Sequence, residues 1–132
     1  MGAWGHSSFE NDDALDWVGD LEESTDTSAI IEALNAVTDD AEDYIEAPEC
    51  SMAIAAAEVV AALNGNGAPS RPEEVTEWLK EKPKPEASLI AKARQAIDIV
   101  LADSELKELW EENTEDFPKW TAALEELISR LS

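Results

Sequence analysis

The chemistry available to this chain is carboxylate chemistry: 31 of its 132 residues are Asp or Glu, against one His and one Cys. Glu58 stands apart from the rest. It sits in the run Met52 to Leu63, which is otherwise apolar. A carboxylate in such a setting must be ion-paired, hydrogen-bonded or neutralised by a raised pKa. Arg94, Tyr44 or a Trp indole is the expected partner. An acid so perturbed is also a candidate for a functional site, and Glu46, just ahead of Pro48, is the second. With the acids of the first predicted helix, the two could support carboxylate-based or metal-assisted hydrolysis. Asp39, Asp40, Glu42 and Asp43 fall mostly on the water side of the second predicted helix, so they join Glu46 and Glu58 as candidate binding residues for a cationic surface.

The other chemical constellations are weaker. Asp12, Asp13 and Asp16 could hold a hard divalent cation through oxygen ligands, but their spacing does not match a calcium loop, and acids in a first helical turn are ordinary partners of the helix dipole. No metal site and no cofactor is expected. His6, the single histidine, lies in a Gly- and Ser-containing segment suited to an exposed or capping role. Cys50 stands near a predicted helix start, but its acidic neighbours make an inert thiol the expectation. Asn64-Gly65-Asn66-Gly67 lacks the lysine of a phosphate-binding loop, which disfavours nucleotide hydrolysis.

Charge is distributed very unevenly. The first basic residue is Arg71, so residues 1–70 carry 16 acids and no Lys or Arg, whereas the remainder carries 15 acids and 9 bases. Such a half repels nucleic acid phosphates and anionic lipids and attracts cations. No nucleic acid partner and no membrane partner is therefore expected. The start of the chain has neither a basic region nor an apolar run, and the longest apolar stretch falls well short of the ~20 residues that span a bilayer, so neither a signal peptide nor a membrane segment is expected. With one cysteine, a reducing, cytoplasmic setting fits.

The elements that must position these residues are helices. Ala14, Trp17, Val18 and Leu21 follow helical spacing behind an Asn11 cap, and Ile30, Leu34, Val37, Ala41, Tyr44 and Ile45 make a second stripe. Met52 to Leu63 is apolar nearly all round, which predicts a central Ala-rich helix packed on several sides, stopped by the Asn-Gly pairs. Ser70 and Glu73 have capping-box spacing ahead of Val75, Trp78 and Leu79. Leu89 to Leu101 forms a long amphipathic stripe, Ser104 caps Leu106, Leu109 and Trp110, and Phe117 to Leu131 forms the last. Period-two alternation is absent. Residues 1–132 are thus expected to form one all-α domain: a compact bundle of about six or seven helices around the Ala-rich one, as a monomer or weak homodimer. Hydrophobic content of 44% is sufficient for a core of that size.

Met1-Gly2-Ala3-Trp4-Gly5 and Phe9 to Trp17 resemble the start of the bacterial domain-of-unknown-function 4259 family. Tyr44 to Glu49, Ala55 to Leu63 and Ser104 to Trp110 are similar to the same family, in the same order, although members often carry Gly in place of Ser7. The resemblance covers nearly the whole chain. It implies a compact helical domain and transfers no catalytic residue. The acidic N-terminal half leads to the expectation of a non-catalytic interaction protein, inhibitor- or immunity-like, that binds a basic protein partner. The alternative is the carboxylate-based or metal-assisted hydrolase.

Overall fold

The computed structural model describes residues 12–24, 27–39, 45–65, 73–80, 82, 84–102 and 104–131. Among these lie seven helices and no strand: α1 (Asp12–Glu23), α2 (Ser28–Thr38), α3 (Ala47–Leu63), α4 (Glu73–Leu79), α5 (Ala87–Ala102), α6 (Glu105–Glu111) and α7 (Phe117–Arg130). The Asn11 and Ser70 caps, Trp4, His6 and Ser7, and Asp40, Ala41, Glu42, Asp43 and Tyr44 lie outside the described residues.

The helix α3 is the axis of the fold and packs against each of the other six. Its sequence explains why. Cys50, Ser51 and every residue from Ala53 to Ala61 are buried, and Ala55, Ala56, Ala57 and Ala61 keep the surface thin enough for neighbours to approach on all sides. The helix begins earlier than its apolar run, because Pro48 belongs to the first turn, where a missing N–H goes unneeded, and Glu46 in extended conformation is the N-cap. It stops at Asn64 and Gly65, the glycine taking a φ of 86° that residues with a Cβ rarely adopt.

The remaining helices each turn one stripe onto this axis. Helix α1 buries Ala14, Trp17, Val18 and Leu21, and α2 buries Ile30, Ala33, Leu34 and Val37. Two indoles fasten the N-terminal layer by donating to carbonyls: Trp17 Nε1 to Ala29 at 3.3 Å and Trp78 Nε1, from α4, to Ser24 at 2.8 Å. Ala41 and Tyr44 of the expected α2 stripe lie outside the described residues. The helix ends at Thr38, and Ile45 is buried in the segment leading into α3, where its carbonyl accepts from the Glu105 amide at 2.9 Å.

Helices α5, α6 and α7 also pack against α3. Ser104 caps α6 by accepting from the Lys107 amide at 3.1 Å while its hydroxyl donates to the Val100 carbonyl at 2.9 Å. Trp110 and Phe117, half-buried, stack on buried Trp120 with ring centroids 6.2 and 6.1 Å away. Helix α7 then lays Leu124 and Leu127 onto the core, which delivers Arg130 to the middle of α3.

Candidate functional site

Glu58 is 2% exposed, the most deeply buried charge among the described residues, and Arg130 reaches it from α7. Both terminal nitrogens of the guanidinium donate to the carboxylate, Nη1 to Oε1 at 2.5 Å and Nη2 to Oε2 at 3.0 Å. The third nitrogen, Nε, donates at 2.8 Å to Oε2 of Glu126, one turn earlier on α7. A planar donor fork fits two carboxylates in this way and a lysine would not. Hydrogen bonding to the Glu58 carboxylate is the leading reason that the Arg130 pKa is raised above its ordinary value, so the guanidinium is charged at any accessible pH. Its place at the C-terminal end of α7 also suits a cation, since carbonyl dipoles gather there.

Arg130 is a partner of Glu58 that the sequence pattern does not name, and of the expected ones Tyr44 lies outside the described residues. Arg94 is exposed on α5, and the Trp17 and Trp78 indoles serve carbonyls instead. The sequence carries little sign of Arg130, because 72 residues separate it from Glu58 and only the fold brings them together. Its one local mark is its position beside Leu127 and Leu131, on the edge of the α7 stripe.

The other candidate residues do not converge on Glu58. Glu46 is exposed at the N-cap of α3, twelve positions away along the helix, which at 1.5 Å per residue is about 18 Å. Asp39 is exposed at the C-cap of α2. Asp12 and Asp16 are exposed on α1 and Asp13 is half-buried. Among the described residues, no group of three or more His, Cys, Asp or Glu side chains is arranged to hold a metal ion.

A second acidic junction joins the starts of α3 and α6, and the sequence reading did not single it out. Glu105 accepts from the Ala47 amide at 2.7 Å, so a side chain from α6 caps α3. Glu49 places Oε2 in a buried position without a hydrogen-bond partner among the described residues. Cys50 is buried between them, its thiol 3.9 Å from the Ile45 carbonyl.

Nearly the whole of this architecture falls within one family model. The family described as Domain of unknown function (DUF4259) matches residues 2–123. The chain belongs to this family. The matched stretch takes in Glu58 and the acids of α1 and α2 and ends before Glu126 and Arg130. No curated protein and no solved structure matches the chain. No helix among the described residues is long and apolar enough to cross a membrane.

Proposed function

We propose that this protein is a non-catalytic acidic interaction protein whose N-terminal half binds a basic protein partner, in the manner of an inhibitor or immunity protein. The observation that carries the reading is the charge of residues 1–70, sixteen acids with no Lys or Arg, together with where the fold puts those acids. Asp12, Asp16, Asp20, Glu32, Asp39 and Glu46 are all exposed. Among the described residues, Glu58 is the one acid of this half that makes a salt bridge, and its partner comes from the other half. The exposed acids thus keep an uncompensated field that attracts cations and accelerates encounter with a basic surface.

Hydrolysis has weaker support. A carboxylate gripped at both oxygens by one guanidinium is a poor base and a poor nucleophile, and Glu46 lies too far along α3 to act with it. Capture experiments with the full chain test the binding reading. The wild type should retain a basic protein at low salt and release it at high salt. A variant with Asp16, Glu32, Asp39 and Glu46 reversed to Lys should retain far less while keeping its helical circular dichroism. Partners held regardless of salt, or held equally by the reversed variant, would overturn the proposal.

A further inference from the structure

Helix α4 sits at the edge of the bundle. It is seven residues long, too short to persist as a helix on its own in water, and it packs against α1 and α3 only, fewer neighbours than any other helix among the described residues. Val75 and Trp78, one turn apart, are the side chains it buries. Helix α6 is as short but is stitched in at its start, where Ser104 bonds to α5 and Glu105 to the segment that opens α3. Helix α4 is tied instead through the Trp78 indole, which donates to the Ser24 carbonyl just past the end of α1, and the Lys82 ammonium lies 4.7 Å from the centre of the same ring.

The charge on α4 works against its seat. Glu73, Glu74 and Glu77 are exposed on α4, and Asp20, Glu22 and Glu23 are exposed on α1, against which it lies. Lys80, at the end of α4, is paired with Glu77 of the same helix at 3.2 Å. An acidic helix thus occupies apolar surface on another acidic helix, and like charges so placed repel. A helix of opposite charge with the same two apolar anchors is the better fit to that surface.

We infer that α4 is a strap: it lifts off α1 and α3 while the rest of the bundle stays folded, and the basic partner protein docks an amphipathic helix, anchored by two apolar side chains one turn apart, on the surface that Val75 and Trp78 leave. The inference rests on the binding reading above and adds where the partner docks and what covers the site in its absence. Segments that bury few side chains open at a fraction of the free energy of global unfolding, so release of α4 does not require loss of the core. The closed strap lowers the partner's apparent affinity by the fraction of time the surface is covered, which makes α4 an autoinhibitory contact.

Hydrogen exchange of the full chain, followed amide by amide, tests the release. Amides of α4 should exchange at least tenfold faster than those of α3, and Trp78→Ala should widen the gap while α3 stays protected. The docking probe is a synthetic peptide of residues 73–84 carrying Glu73→Lys, Glu74→Lys and Glu77→Lys. At saturation it should speed α4 exchange in the wild-type chain at least a further tenfold, and the peptide of native sequence should bind at least tenfold more weakly. The Trp78→Ala chain should bind the lysine peptide more tightly than the wild type, because the resident competitor is loosened. The inference is overturned if α4 exchanges only with global unfolding, if Trp78→Ala strips protection from α3 or weakens peptide binding, or if the lysine peptide fails to bind or binds without freeing α4. None of these measurements uses the captured partner, so the wider reading stands or falls separately on the capture experiment.

Discussion

At the scale of single residues, burial decides what each reactive group can do. Cys50 lies in the first turn of α3, where the helix dipole favours a thiolate, yet desolvation pushes the thiol pKa up from 9.0 to about 11. Hydrogen bonding with the Ser104 side chain and the Leu106 backbone opposes the rise, and the charges of Glu49 and Glu105 add to it. The inert thiol expected from the acidic neighbours in the sequence is therefore inert chiefly for another reason, burial, which neighbours in sequence do not reveal. At pH 8 the native thiol should react with a disulfide reagent far more slowly than the denatured one. Because the folded pKa is the higher, the unfolded chain ionises first. The thiol's contribution to stability is thus fully present below about pH 9 and is lost between there and about 11, a slope that Cys50→Ala should remove. Equal labelling rates in the native and denatured states would contradict this assignment.

At the scale of elements, Glu58 and Arg130 join α3 to α7, and their unequal burial sets the expected energetics. Glu58→Ala leaves behind a guanidinium that is 19% exposed and still bonded to Glu126, so a loss of about 1 to 3 kcal/mol is expected. Arg130→Met takes the cation from a carboxylate that is 2% exposed, and the expected loss is larger, about 3 to 5 kcal/mol. Replacing both together, with Leu and Met, should recover most of that loss, because a buried ion pair and a well-packed apolar pair are often close in stability. Denaturant unfolding of Glu58→Leu, Arg130→Met and the double variant measures the cycle, and additive losses would contradict the pairing. Glu58 could be singled out from the sequence because one acid interrupts an apolar helix. Arg130 could not, because pairing across 72 residues is a property of topology and leaves no periodic trace. The same limit hid the Glu105 cap on α3, whereas the Ser104 cap and the Gly65 stop, being local, were both readable.

At the scale of the whole molecule, apolar stripes at helical spacing foretold the architecture, and the Ala-rich stretch foretold which helix lies at its centre. What the stripes could not convey is how the charge is disposed around them. Among the described residues, the fold takes Glu58 of residues 1–70 into the core, gives it a cation from the other half, and leaves the exposed acids of α1 and α2 without a salt bridge. That disposition is the physical basis on which we propose a partner of opposite charge, and the kinetic consequence of the proposal is specific. Exposed charges are screened beyond about 8 Å at physiological ionic strength, so salt should act on the long-range approach far more than on contacts already formed. The direct measurement is the association rate of the captured basic partner, followed by stopped flow as ionic strength is raised. A rate that falls steeply with salt, with the dissociation rate nearly constant, is the predicted result. An association rate indifferent to salt would contradict the account.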